Sequence, residues 1–201
     1  DFNSPVSRYL PQFNSPEQQG ITARHLLTHT SGLDDYFTPK FFETSKERFK
    51  AVKDYLPLFV DKPLLFQPGE RMSYSNAGFM LLGAIIERVS GQDYFSYVRE
   101  HIYKPAGMND TDAYELDRDT PNLAIGYTNE NVEDGRFIPG PRANNLFLHV
   151  VKGGPAGGGF STAPDLLKFA NALIGHKLLS QRYTDTVTTG KVDAGPGLKY
   201  G

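Results

Sequence analysis

The 201-residue sequence contains no cysteine, so disulfide cross-links, thiolate catalysis and cysteine-ligated zinc are excluded. It also lacks an apolar run of roughly 18 residues, the length that a membrane-spanning helix needs. Basic residues number 21 and acidic residues 23, which gives a formal net charge of −2. Since no basic cluster occurs either, we expect neither nucleic acid nor an anionic membrane surface as a partner.

Hydrophobic residues make up 39% of the chain, enough to bury a core, and their spacing predicts a mainly helical protein. Thr22 is the predicted N-cap of a short helix that ends near Gly32. Thr44 and Glu47 have the spacing of a capping box, which predicts a second helix running to about Phe59.

The tripeptide Tyr74-Ser75-Asn76 precedes ten residues without a charge, 77–86. This run predicts a helix that is buried on every face and ends at Gly91. Two explanations fit the polar tripeptide at its start. Either Ser75 or Asn76 simply caps the helix, or the three side chains belong to an active site.

Apolar residues at i, i+4 and i+8 from Tyr94 predict the next helix. Between residues 104 and 159, glycine, proline and asparagine interrupt short apolar segments such as "NLAIGYT" and "LFLHVV". There we expect loops with brief strands. Helices are predicted again over residues 164–174 and 180–188.

The segment "GGPAGGGFSTAPD", residues 153–165, holds five glycines but matches no nucleotide-binding fingerprint. Because glycine loses more backbone entropy on folding than other residues, we expect this backbone to approach a neighbouring element or a ligand closely. The pentapeptide around Ser161, residues 159–163, differs from the nucleophile-elbow pattern at one residue. Thr162 and Asp165 instead favour a helix start there.

His25 and His29 lie four residues apart, which is half of a metal site. No nearby acidic residue completes the motif of a zinc protease. We therefore expect no metal and no other cofactor, and we interpret His25 as a surface residue.

Three segments, "ITARHLLTHTSGL", "FQPGERMSYSNAGFMLLGAIIERVSGQDYFSYVREHIYKPAGMNDT" and "PAGGGFSTAPDLLKFANAL", follow one another with plausible spacing. Together they resemble the serine β-lactamase-like family, which comprises class C β-lactamases, D-alanyl-D-alanine carboxypeptidases, D-aminopeptidases and related esterases. The family uses a Ser-x-x-Lys nucleophile, a Tyr-x-Asn motif and a Lys/His-Thr-Gly strand around one cleft. The resemblance implies cleavage of an amide, β-lactam or ester bond through an acyl-serine intermediate.

Tyr74-Ser75-Asn76 matches the Tyr-x-Asn motif. The resemblance implies that Tyr74 is the general base and proton relay, and that Asn76 holds the substrate amide and the lysine. It also implies that Gly157, Gly158 and Gly159 line the substrate cleft, and that the substrate is a small molecule or a peptide.

Neither Ser-x-x-Lys nor Lys/His-Thr-Gly occurs in the sequence. We therefore interpret residues 1–201 as one region, a helical subdomain of the α+β β-lactamase/transpeptidase-like fold that is truncated at both ends and largely lacks its sheet. On this interpretation the chain alone is inactive and self-associates through its exposed sheet-facing surface. The resemblance implies a location outside the cytoplasm, whether periplasmic, secreted or membrane-anchored. The alternative is a non-catalytic homologue that acts as a binding or structural module.

Overall fold

The computed structural model describes residues 1–133 and 136–200. This part of the chain is mainly helical and carries two small antiparallel hairpins. The α-helices are α1 (Ala23–Leu27), α2 (Pro39–Glu43), α3 (Asn76–Ser90), α4 (Tyr94–Val98), α5 (Lys104–Ala106), α6 (Ala163–Ile174) and α7 (Gln181–Thr188). The strands are β1 (Tyr127–Glu133), β2 (Arg136–Asn144), β3 (Val192–Gly195) and β4 (Leu198–Tyr200).

Helix α3 crosses the centre of the main hydrophobic core. Met80 and Leu81 are buried there among Phe13, Leu26 and Phe59, which come from the preceding segments of the chain. Helices α1 and α4 pack directly on α3. The helix that follows the polar tripeptide is therefore the element around which this part of the protein is built.

The predicted ends of α3 are confirmed. The Ser75 hydroxyl accepts a hydrogen bond from the Gly78 N–H at 3.3 Å, and Gly91 ends the helix in the left-handed conformation at φ +72°. Burial on every face holds only for the first half, because Val89 in the last turn is 66% exposed. The charged Glu87 and Arg88 in that turn fit its approach to solvent.

Thr22 caps α1 as predicted, and it forms a reciprocal pair of hydrogen bonds with His25, which is half-buried at this cap. The predicted role of Gly32 is wrong, since α1 ends at Leu27 and His29 takes the left-handed conformation after it, at φ +55°. Gly32 has a positive φ for another reason. A Cβ there would lie 2.1 Å from the Phe66 carbonyl oxygen, so only glycine fits this close approach.

The predicted helix from Thr44 to Phe59 is wrong. The structure has the short helix α2 and then the 3₁₀ turns Lys46–Arg48, Val52–Asp54 and Leu56–Leu58. Apart from Phe59, the buried side chains of this stretch recur every third residue, at 49, 52, 55 and 58. A spacing of three matches the 3₁₀ period, and the α-helical period of 3.6 would turn some of them out of the core.

The strands of the middle region differ from the prediction. Most of "NLAIGYT" precedes β1, and Leu146–Leu148 of "LFLHVV" forms a 3₁₀ turn. Strand β2 contains Pro139 and Pro141, which obscure a strand pattern in sequence. Prolines are tolerated in a two-stranded hairpin because both of its strands are edges.

The helices predicted at residues 94–102, 164–174 and 180–188 are confirmed as α4 with the π turn Arg99–Tyr103, α6 and α7. Thr162 caps α6 through the Asp165 N–H at 3.3 Å, in agreement with a helix start beside Ser161. Within residues 1–133 and 136–200, none of the helices combines the length and apolarity that crossing a membrane requires.

Candidate active site

Tyr74 lies immediately before α3, and its side chain is 63% exposed. Its hydroxyl donates a hydrogen bond to Asn76 Oδ1 at 3.2 Å. Its ring packs against the His29 ring, with centroids 4.5 Å apart. An exposed phenol is therefore held at its ring and at its oxygen.

Ser75, the residue between them, is buried. Its N–H donates to His29 Nδ1 at 3.2 Å, and the N–H of Ser73 donates to the His29 carbonyl oxygen at 2.8 Å. His29 thus holds the backbone on both sides of Tyr74, as well as the Tyr74 ring.

His29 is itself buried, and burial lowers the pKa of its imidazole. Because Nδ1 accepts that hydrogen bond, the neutral ring carries its proton on Nε2. Within the described residues Nε2 has no hydrogen-bond partner. The rings of Phe79 and Tyr200 lie against the imidazole, each with its centroid 5.0 Å away.

Asn76 is fixed by Asp35, which lies 41 residues earlier in the chain. The backbone N–H and the Nδ2 amide of Asn76 both donate to Asp35 Oδ2, at 3.1 and 2.8 Å. The Asn76 amide therefore turns its nitrogen towards Asp35 and its oxygen towards Tyr74.

A cavity of about 350 Å³ opens beside Tyr74 and His29. Aromatic and aliphatic side chains form much of its wall, among them Phe79, Phe95 and Val98. Tyr94 also lines the cavity, and burial raises the pKa of its phenol to about 12, so the phenol is neutral at physiological pH.

A polar edge completes this cavity. The Asp112 carboxylate lies there and accepts a hydrogen bond from Arg99 Nε at 2.6 Å. The backbone of Asp112 also pairs with that of Phe160, which ties the end of the glycine-rich segment to this edge.

The glycine-rich segment forms another part of the wall. Gly157 and Gly159 line the cavity with Tyr74, whereas Gly158 does not. Gly158 has a φ of +82° and packs against Gly153. A Cβ added to Gly153 would lie 2.3 Å from the Gly158 carbonyl group. Gly157 has a φ of +138° and faces open space. Close packing within the segment therefore explains part of its glycine content.

The structure brings Tyr74, Gly157 and Gly159 to one cavity and places Asn76 next to Tyr74, outside the cavity wall. Among the described residues that line the cavity there is neither a serine nor a lysine. No group of three or more potential metal ligands occurs in residues 1–133 and 136–200.

Sequence reasoning missed two residues of this site. His29 stood out only through its spacing from His25, and its contacts with Tyr74 and Ser75 depend on the fold. Nothing in the sequence near Asp35 indicates a partner 41 residues away.

The family model described as "Beta-lactamase" matches residues 1–201, the whole chain. The chain belongs to the beta-lactamase family. This confirms the resemblance of the three sequence segments, which include Tyr74-Ser75-Asn76.

Similar proteins agree with this membership. The chain is 30% identical over 208 residues to penicillin-binding protein 4* of Bacillus subtilis, an alignment that covers 100% of this chain and 45% of the relative. A penicillin-binding protein from Bacillus halodurans has a similar structure, with a TM-score of 0.88 and 37% identity over 100% of this chain and 59% of that one. The chain thus spans about half the length of these relatives.

A D-amino acid amidase from Ochrobactrum anthropi, solved with D-phenylalanine, is also similar. Its TM-score is 0.74 at 26% identity, over 98% of this chain and 56% of the amidase. The beta-lactamase-family chain therefore shares its α/β fold with proteins named as a penicillin-binding protein and a D-amino acid amidase, and its described residues form part of that fold.

Proposed function

We propose that the full-length protein is a serine hydrolase that cleaves an amide, β-lactam or ester bond through an acyl-serine, with Tyr74 as its general base. One observation carries the proposal. An exposed tyrosine hydroxyl is fixed at the edge of a cavity by Asn76 and His29, at the buried start of α3. A general base needs such a fixed position, within reach of the proton that it takes.

In this reaction the Tyr74 phenolate takes the proton of a serine hydroxyl as the serine oxygen attacks the carbonyl carbon of the substrate. The resulting phenol gives that proton to the leaving nitrogen or oxygen as its bond to the carbonyl carbon breaks, and water then hydrolyses the acyl-serine. A lysine beside Tyr74 favours the phenolate, because a nearby positive charge lowers the pKa of a phenol. Asn76 Oδ1 accepts from that lysine, and from Tyr74 once the phenolate has taken the proton. The serine and the lysine come from a Ser-x-x-Lys motif outside the 201 residues.

The backbone at Gly157 and Gly159 lines the substrate cleft in this proposal. Gly157 leaves open space where another residue would place a side chain, which supports a close approach of substrate to the backbone. Relatives named as penicillin-binding proteins and amidases support substrates that range from β-lactams to D-amino-acid amides.

We also propose that the chain is the helical subdomain of the fold and that a sheet from the rest of the protein covers part of its surface. Three helices carry exposed apolar side chains that a sheet could cover: Leu27, Leu166, Leu167, Ile174 and Val187. In the isolated chain this surface would drive self-association. We place the full-length protein outside the cytoplasm, as the resemblance implies.

The test compares Tyr74→Phe with the wild type in the full-length protein, using nitrocefin, D-phenylalanine amide, a D-Ala-D-Ala peptide and p-nitrophenyl esters. Removing the hydroxyl should lower kcat by roughly 10²- to 10⁴-fold, the usual contribution of a general base. Tyr127→Phe is the matched control, because Tyr127 is 58% exposed and does not line the cavity.

Unchanged turnover in Tyr74→Phe would refute the role of Tyr74. The 201-residue chain alone should form no covalent adduct with a β-lactam or a fluorophosphonate, since it lacks the Ser-x-x-Lys motif. The alternative function, a binding module without chemistry, predicts ligand binding by the full-length protein with no turnover in any of the four assays.

A further inference from the structure

Asp35 receives hydrogen bonds from four N–H groups. Its Oδ2 accepts from the backbone and side-chain nitrogens of Asn76, at 3.1 and 2.8 Å. Its Oδ1 accepts from the N–H groups of Tyr36 and Phe37, at 2.7 and 3.3 Å. Both carboxylate oxygens are thus used, one by the loop that contains Asp35 and one by Asn76.

The chemistry of a carboxylate decides how Asn76 is oriented. The two ends of an asparagine amide have nearly the same shape, but the nitrogen donates hydrogen bonds and the oxygen accepts them. An ionised carboxylate only accepts, so it binds the nitrogen end. The oxygen end of Asn76 must then face the opposite way, where it accepts from the Tyr74 hydroxyl.

We propose that Asp35 is a positioning residue for the reaction, one that fixes the Asn76 amide so that it presents an acceptor to Tyr74 and to the catalytic lysine. This inference rests on the proposed function of the site. One hydrogen of the Asn76 amide binds Asp35, and the second stays available to a substrate carbonyl. Without Asp35 the amide would be free to turn its nitrogen towards Tyr74, where it would repel the lysine.

A purely structural explanation of the same contacts exists. The Asn76 N–H is one of the unpaired groups at the start of α3, and a carboxylate near a helix N-terminus stabilises the helix. Such a role would lower stability when Asp35 is replaced but would leave turnover per folded molecule unchanged. The test therefore needs a measurement that follows the amide and the chemistry rather than folding.

Asp35→Asn is the sharpest variant, because it keeps the size of the side chain. Asparagine has one accepting end, so it satisfies either Asn76 or the loop N–H groups of Tyr36 and Phe37. Asp34→Asn is the matched control. It makes the same change of charge one residue away, where Asp34 pairs with Lys62 at 2.8 Å and makes no hydrogen bond to Asn76. Its Oδ1 accepts from the Asp35 N–H at 2.8 Å, which the oxygen of an asparagine can still do.

In the full-length protein we expect Asp35→Asn to lower kcat by roughly 10- to 100-fold, the scale of a misplaced reacting group, with a smaller change in KM. Asp34→Asn should stay within about twofold of the wild type. On an Asn76→Ala background, Asp35→Asn should have almost no further effect on kcat, because the amide through which Asp35 acts is gone. An equal effect of Asp35→Asn on both backgrounds would overturn the proposal.

The orientation itself is measured without turnover. In full-length protein labelled with ¹⁵N-asparagine, the side-chain amide signal of Asn76, assigned by its loss in Asn76→Ala, should shift in Asp35→Asn but not in Asp34→Asn. An unchanged signal would overturn the proposal, as would a shifted signal with normal kcat. If no substrate is turned over by the wild type, the proposed function fails, while the amide signal still decides whether Asp35 fixes Asn76.

Discussion

Replacing Ser75 by alanine separates the capping role of the tripeptide from its role in the site. Ser75 is 1% exposed, and its hydroxyl accepts from the Gly78 N–H at 3.3 Å. Gly78 is buried too, so the variant leaves its N–H without a partner and without water. The side chains of Tyr74 and Asn76 keep their own contacts in this variant, since neither contact involves the Ser75 hydroxyl.

The cost follows from two known quantities. Loss of an N-cap side chain costs about 0.5–2 kcal/mol, and a buried unsatisfied N–H costs about 1–3 kcal/mol. Both figures describe the same lost hydrogen bond, which is long at 3.3 Å, so we expect a loss of about 1–2 kcal/mol. For a domain of this size the melting temperature should fall by about 2–8 °C.

Urea unfolding measures this loss, with Ser73→Ala as the matched control. The Ser73 hydroxyl makes no hydrogen bond within the described residues, so that variant should stay within about 0.5 kcal/mol of the wild type. An identical urea midpoint for Ser75→Ala and the wild type would refute the reasoning. In the full-length protein, Ser75→Ala should mainly lower the free energy of unfolding and change kcat little. Asp35→Asn should show the reverse, with its main effect on kcat.

Three further predictions concern stability. Burial lowers the pKa of His29, so the unfolded chain takes up the proton first as the pH falls through about 6.5, and the free energy of unfolding declines there. In urea titrations between pH 7 and 5, His29→Asn should flatten that decline; asparagine tolerates the positive φ of this position. Gly32→Ala should cost at least about 2 kcal/mol because of its contact with the Phe66 backbone, whereas Gly91→Ala, with similar φ and open space, should cost about 1 kcal/mol; equal urea midpoints would contradict this. Hydrogen bonds and an ion pair lower the pKa of the buried Asp165, so its ionised carboxylate stabilises the folded protein at neutral pH and loses this effect as the pH falls below about 4. Asp165→Asn should therefore lower the urea midpoint at pH 7 more than at pH 3.

The elements that the sequence predicts well are those whose signals are local. Thr22, Ser75 and Thr162 each precede a helix and accept a hydrogen bond from an N–H in its first turn. Gly91 ends α3 because glycine adopts the left-handed conformation without strain. Such caps depend on neighbours within four residues, and these are visible in the sequence.

The failures arise where tertiary packing decides the local structure. The Thr44–Glu47 pattern resembles a capping box, yet the aromatic side chains of Phe49 and Tyr55 are buried in the same core through 3₁₀ turns. The sequence predicts Gly32 at a helix end, but Gly32 has its positive φ at a close contact with the backbone of Phe66, 34 residues away. The pattern within one segment does not contain that information.

The candidate site divides in the same way. Tyr74 and Asn76 are found from a motif of three adjacent residues, whereas Asp35 and His29 reach them only after the chain has folded. Gly157, Gly158 and Gly159 are expected at the cleft only from the resemblance, and the role that it gives them stays a prediction.

The two explanations of the polar tripeptide are therefore compatible, because successive residues carry different tasks. Ser75 points inwards and caps α3, while Tyr74 remains exposed and Asn76 turns towards Asp35. Hydrogen bonds from the backbone on either side of the exposed phenol to His29 help to fix its position. A general base has to be accessible to substrate and yet held in place, and the role proposed for Tyr74 draws its support from this accessible side chain on a hydrogen-bonded backbone.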